Sequence, residues 1–288
     1  MMQKAQPYLM ILPSLVVFSL FFLYPIGYLI QLSLHDWNFI SPEMNFIGLQ
    51  NFQQLFADAE FKEVLLNTSI YTVSSVSVTT ALSILLALWL NKKGWLYTFL
   101  QGAIFSPHVI SLVSIALLWM WMMEPDYGLL NWALNLFGLS GIQWLNAPET
   151  SLFSLIVVAV WKGLGFNTLI FIAGLQSIPK TVYEAADLDD ASRFSTFREI
   201  TLPMLSPTIF FLVIINLIGS FQVFETISIM TQGGPINSTN MLVYYIYEYG
   251  FQFFKIGYAS AAGVLLLGII SIFTAVYFWL LSRRVHYQ

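Results

Sequence analysis

Residues 177–207 read SIPKTVYEAADLDDASRFSTFREITLPMLSP, an island of charge in a very apolar chain. Lys180, Glu184, Asp187, Asp189, Asp190, Arg193, Arg198 and Glu199 all fall within it. Thr181 and Glu184 have the spacing of a capping box just after the breaker Pro179, which predicts a helix start. Val182, Ala185 and Ala186 make a narrow face of small apolar groups against which another surface can come close. Beyond Asp189 and Asp190, the residues Phe194, Phe197 and Ile200 recur at helical spacing, and Pro203 and Pro207 end the pattern. Two short amphipathic helices joined by a turn are expected. A linker would not need this much pattern.

The remainder of the 288 residues sets the class. With 58% apolar and only 9% charged residues, the chain has more apolar surface than a soluble domain can hide, so it reads as an integral membrane protein. A span needs about 20 apolar residues. Six segments qualify, at about 8–32, 65–90, 100–123, 152–175, 208–230 and 259–281. They make residues 1–288 one all-α transmembrane domain with the charged loop 177–207 between the fourth and fifth spans. The first span is too long for a signal-peptide core and is expected to be retained, kinked at Pro13 and Pro25. Ser74, Ser75, Ser77, Thr79, Thr80 and Ser83 give the second span small polar groups suited to close helix packing. In the third, Pro107 marks a kink, His108 reads as a buried, hydrogen-bonded neighbour of it, and Trp119 and Trp121 fit an interfacial belt.

Composition also excludes. There is no cysteine, and the histidines, His35, His108 and His286, are scattered, so no metal centre is expected. No Gly-rich phosphate loop and no hydrolase motif is present, so neither an ATPase site nor other catalytic residues are expected. The net charge of −4 with no basic patch gives no sign of nucleic acid. Alternating spans place Lys4, Lys92, Lys93, Lys180, Arg193, Arg198, Arg283 and Arg284 on one side, against Lys62 and Lys255 on the other. Positive loops stay in the cytoplasm, so both termini and the charged island are expected there.

Polar groups within the spans are costly enough to be informative. Lys162 lies mid-span, where a charge costs about 2.5–3.5 kcal/mol on insertion scales. Beside it Trp161, Gly163, Gly165, Phe166 and Asn167 offer aromatic faces and open backbone to a solute. Equally, Lys162 snorkels or pairs with a carboxylate, the glycines then being packing notches. On the fifth span Asn216, Gly219, Ser220 and Val223 share one face, with Gln222, Glu225 and Thr226 on another. Glu225 has three readings: a partner for Lys162, a residue facing an aqueous cavity, or a contact to a partner subunit. For Asn216 and Ser220 the alternative is interhelical hydrogen bonding, worth about 0.6 kcal/mol on average.

The run from Tyr183 to Pro203, YEAADLDDA followed by ITLP, resembles the EAA loop of the membrane subunits of binding-protein-dependent ABC importers. FIGLQNF, PDYGLLN, WKGLGFN, AGLQSIP and TQGGPINST, in that order around it, resemble strings of the carbohydrate-uptake branch, the maltose, lactose, raffinose and glycerol-3-phosphate type. The resemblance implies a type I ABC importer permease fold in the cytoplasmic membrane, surrounded by lipid. Its implied partners are a second homologous permease, two ATP-binding subunits that carry the ATP and magnesium, and an extracytoplasmic solute-binding protein. An ATPase would dock on Tyr183, Glu184, Ala185, Ala186, Asp187, Asp189, Asp190, Ala191, Phe194 and Phe197. The family's sugar site falls on Lys162, Gly163 and Phe166 and on Asn216, Gly219 and Ser220, with Glu225 nearby. One departure stands out: Asp190 occupies the place of the family's usual glycine. The rival reading is an ion-coupled secondary transporter or channel, disfavoured by the scarcity of intramembrane carboxylates and the lack of an inverted repeat. An intramembrane enzyme would need a nucleophile–base or metal constellation that Lys162 and His108 do not make.

Overall fold

The computed structural model describes residues 2–281, with side chains from 10 to 279. Arg283, Arg284 and His286, and the side chain of Lys4, therefore lie outside the described residues. The helices run in order α1 (Met2–Phe18), α2 (Tyr24–Ser33), α3 (Gln50–Ala57), α4 (Ala59–Leu90), α5 (Trp95–Val109), α6 (Leu112–Met122), α7 (Leu129–Leu136) and α8 (Pro148–Ser177). After them come α9 (Lys180–Leu188), α10 (Arg193–Ser195), α11 (Leu202–Met204), α12 (Ser206–Phe221), α13 (Glu225–Met230), α14 (Leu242–Tyr247) and α15 (Ile256–Leu281). The all-α expectation needs one small amendment, a two-residue antiparallel pairing of His35–Asp36 with Asn45–Phe46.

Among the described residues four helices are long and apolar enough to cross a membrane: Met10–Ser33, Ala59–Leu90, Pro148–Ser177 and Ile256–Trp279. Two further pairs qualify only when taken together. Trp95–Val109 with Leu112–Met122 is bent by 101°, and Arg193–Met204 with Ser206–Phe221 by 64°. The third span is thus a broken one, where the sequence suggested a single kinked helix. The fifth ends at Phe221, nine residues early, because the backbone leaves the helix at Gln222 and resumes at Glu225. The first span runs on through a π-turn at Ser19–Leu23, with Pro13 and Pro25 inside a continuous run of helix. That wider turn just precedes Pro25, whose ring would otherwise press on the carbonyl four residues back.

The chain forms two compact units. One takes in the chain up to Lys62 together with Tyr245–Ile269. Its interior is tied by polar groups. The Asn51 amide donates to the carbonyls of Ser33 (2.9 Å) and His35 (3.0 Å), and Asp58 accepts from the hydroxyls of Tyr245 (3.2 Å) and Tyr258 (2.9 Å). Tyr249 donates to Glu60 at 3.1 Å. Gly257 lets the chain pass the His35 carbonyl, which a Cβ there would overlap at 1.9 Å. The short helix α3 carries Phe52, Leu55 and Phe56, with Leu55 fully buried.

The second unit, Glu63–Tyr244 with the chain from Ile270 on, holds the rest. Thr68, Thr72, Ser75, Thr79 and Ser83 form the buried stripe of α4. Of the six hydroxyl residues expected to pack, Ser75, Thr79 and Ser83 are buried, Ser83 donating to the Leu164 carbonyl of α8 at 3.2 Å, while Ser74 and Thr80 are half-buried and Ser77 is exposed. Toward the charged loop, Ile84, Ala87 and Leu90 join Phe171, Ile172, Leu175, Leu205 and Leu212 in a dry cluster. Trp119 is a correction: it is buried and set edge-on to Trp161 at 5.5 Å, while Trp121 alone of the pair is exposed.

Candidate functional site

A cavity of about 430 Å³ opens in the second unit, bounded by α4, α5, α6, α8, α12 and α13. Phe166, which packs against the dry cluster, also lines it. Lys162, Gly163, Phe166, Asn216, Gly219, Ser220 and Glu225 all line it, so every solute-site residue expected from the sequence meets in one place. The two faces assigned to the fifth span merge here. A continuous helix would hold Gln222, Glu225 and Thr226 away from Asn216; the break at Gln222 turns them onto the same cavity. Glu225 belongs to α13, in its first turn, where a carboxylate suits the helix N-terminus.

The broken third span forms one wall, and its backbone bonds can be accounted for. Pro107 lacks an N–H, which orphans the carbonyl of Ala103; the Ser106 hydroxyl donates to it at 2.8 Å. The helix ends at Val109, which leaves the carbonyls of Pro107 and Ile110 without helical donors. The Lys162 ammonium donates to both, at 3.3 and 2.9 Å. Of the readings open for Lys162, pairing with a carboxylate gives way to this one. A cation at a helix C-terminus is favourable, by about 0.3–2 kcal/mol.

The glycines divide between the two roles offered. Gly165 is a packing notch: a Cβ there would lie 2.0 Å from the Ile104 carbonyl, so only glycine lets α8 and α5 approach so closely. Gly219 has open space on its Cβ side, and Gly163 borders the cavity against Thr79. Asn167 and Asn216 exchange side-chain amide bonds, 2.6 and 3.4 Å, between α8 and α12.

Several lining residues escaped the sequence reading. His108 is exposed, not buried, and stacks on Phe166 with ring centroids 4.7 Å apart and planes 14° apart. Tyr71 and Thr79 also line the cavity. Their only signal was polarity inside an apolar run, which packing residues share.

The loop between α8 and α12 is as patterned as expected, with changed details. The first helix starts at Lys180 after Pro179 and carries no side-chain cap, so the Thr181–Glu184 capping box does not form. Asp190 is left-handed, φ 50°. Its N–H bonds the Asp187 carbonyl (3.2 Å) and that of Ala191 bonds Ala186 (3.0 Å), a Schellman stop in which Asp does the work of glycine. Ser192 then caps the next helix through Ser195 N–H at 3.2 Å. Pro203 does not end that helix, which runs to Met204. Glu184, Ala185, Asp187, Asp189, Asp190 and Phe194 are exposed, while Ala186 is buried and Ala191 half-buried. Tyr183 and Phe197 are half-buried against the dry cluster, and the Tyr183 hydroxyl meets Thr201 at 3.3 Å. Leu188, not singled out before, is 87% exposed beside Phe194 at 71%.

This is a multi-pass helical membrane protein with an internal cavity bordered by Lys162, Asn216, Ser220 and Glu225, and with a charged two-helix loop between α8 and α12. Residues 79–287 match the family model described as binding-protein-dependent transport system inner membrane component, and the chain belongs to that family. A probable ABC transporter permease protein of Brucella suis biovar 1 is 37% identical over 98% of this chain and 99% of its own. The trehalose/maltose transport system permease protein of Thermococcus litoralis is 36% identical, over 94% of this chain and 91% of its own. The sn-glycerol-3-phosphate transport system permease protein of Yersinia pestis bv. Antiqua is 33% identical, over 98% and 96%. Among solved structures, a chain of a bacterial alginate ABC transporter in complex with an alginate pentasaccharide-bound periplasmic protein superposes with a TM-score of 0.84. It is 28% identical, over 98% of this chain and 95% of that one, and shares the type I importer permease fold.

Proposed function

We propose that the chain carries a sugar or related hydroxyl-rich solute across the cytoplasmic membrane, as one of two permeases in an ATP-driven importer. The observation that carries this reading is a largely apolar cavity, set with polar side chains, that α8 and α12, the helices flanking the charged loop, both line. Gly163, Phe166, Asn216, Gly219, Ser220 and Glu225 line it, with Lys162 in its wall. The named relatives handle trehalose and maltose, sn-glycerol 3-phosphate or alginate, and hydroxyl-rich solutes are what these have in common.

The partners follow from the same reading: a second homologous permease, two ATP-binding subunits holding ATP and magnesium, and an extracytoplasmic solute-binding protein. Both termini and the loop face the cytoplasm. Exposed Glu184, Asp187, Asp189 and Asp190 meet basic groups of an ATPase, and Phe194 with Leu188 supplies apolar anchors. Tyr183, Ala186 and Phe197 serve from beneath, seating the loop on the core. When the ATPases close, the loop pulls on α8 and α12 together, and the cavity changes the side to which it opens.

Glu184→Lys tests the docking, with loss of both uptake and ATPase co-purification expected; survival of both overturns it. Lys162→Ala and Asn216→Ala test the cavity. Each should impair transport while the subunits still assemble, and unchanged transport in both would sink the assignment.

A further inference from the structure

His108 and Lys162 are joined through the break in the third span. The Lys162 ammonium bonds the carbonyls of Pro107 and Ile110, the peptide groups on either side of the helix end from which His108 projects. These bonds fix that end against α8. The imidazole is thereby held in a near-parallel stack on Phe166 of α8, with Phe105 at 5.5 Å on its own helix. Both stacked rings border the cavity. Without the ammonium, the carbonyls of Pro107 and Ile110 would lose the donor that they share in a span.

We propose that His108 is a solute-contacting, specificity-determining residue and that Lys162 is the positioning residue that holds it on Phe166. The proposal rests on the solute reading of the cavity and narrows it to a ligand class. Two stacked flat rings suit the C–H face of a pyranose ring, and the imidazole edge adds hydrogen-bonding nitrogens that a phenyl wall lacks. A glycoside is therefore favoured over a linear polyol. Two of the three ammonium donors of Lys162 are committed to backbone, so its main task is to hold the wall.

The chain, purified with its partner subunits, is assayed for equilibrium binding of tritiated maltose, trehalose and glycerol 3-phosphate. At least one of the two glycosides should bind more tightly than glycerol 3-phosphate; the reverse order overturns the ligand class. His108→Ala and Lys162→Met should each weaken glycoside binding about tenfold, and Lys162→Arg, which keeps the donors, should stay within about threefold of the parent. The double variant H108A/K162M should bind no more weakly than H108A, because both changes remove the same contact. Additive losses, or failure of Lys162→Arg to rescue, overturn the positioning role. Should Lys162→Met not assemble, the Lys162→Arg and His108→Ala arms decide. If Asn216→Ala weakens binding and His108→Ala does not, this proposal falls alone. If no solute is held, or none of these variants matters, the cavity reading falls with it.

Discussion

Asn216 donates its side-chain amide to Asn167 Oδ1 at 2.6 Å and accepts the reciprocal bond at 3.4 Å. The pair joins α12 to α8 in the lining of the cavity. Replacing Asn216 strands the buried Asn167 Oδ1 without its donor, while the Asn167 amide nitrogen keeps the Gly163 carbonyl at 2.8 Å. Asn216→Leu should cost about 1–3 kcal/mol, read as a lowered thermal midpoint of the purified complex. The double change N167L/N216L should cost less than the two single changes summed, since no amide is then stranded. Additive losses would show that the pair does not act as a unit.

Two glycines, Gly165 on α8 and Gly219 on α12, give a sharper contrast. Gly165→Ala drives a Cβ into the Ile104 carbonyl, a backbone atom that cannot move aside alone. Overpacking of this kind costs about 1–3 kcal/mol or more, seen as poor assembly and a lower midpoint. Gly219→Ala meets nothing within 4 Å and should leave the midpoint unchanged. It fills part of the cavity instead, so its effect should appear in solute binding.

At Asp190 the left-handed turn sets the order of tolerance. Asp190→Gly removes steric strain but adds freedom to the unfolded chain, so the stability change should be small. Asp190→Val forces a β-branched residue into φ 50° and should lose about 1–2 kcal/mol, with weaker ATPase co-purification. Equal behaviour of the two variants would mean the Schellman stop is not needed for coupling.

Tyr249 predicts an alkaline signature. Burial first, and then the neighbouring Glu60 carboxylate, push its phenol up to about 12. The unfolded chain would ionise near 10, so the stabilisation is full below about pH 10 and is lost as pH rises through about 12. The 295 nm titration of the protein minus that of its Tyr249→Phe variant should show this late step, and Glu60→Gln should move it to lower pH.

Much of this protein is determined by its sequence alone. Apolar runs mark the spans because a membrane admits few alternatives, and the charges around Glu184 mark the loop because charge is expensive elsewhere. Pro179 and the acid pair at Asp189 and Asp190 locate the two short helices, since those signals act within a few residues of themselves. The tertiary structure decided what depends on distant partners. The break after Val109 is sustained by Lys162, 52 and 55 residues away from the carbonyls it bonds, so a local pattern could not foretell it. Gly163 and Gly165 look alike in sequence; only the neighbouring helix makes one a lining residue and the other a notch. Likewise, helical periodicity separated Asn216 from Glu225, because it presumes a helix that continues. The chain instead bends at Gln222, packs α13 on α6 and brings both polar faces to one cavity.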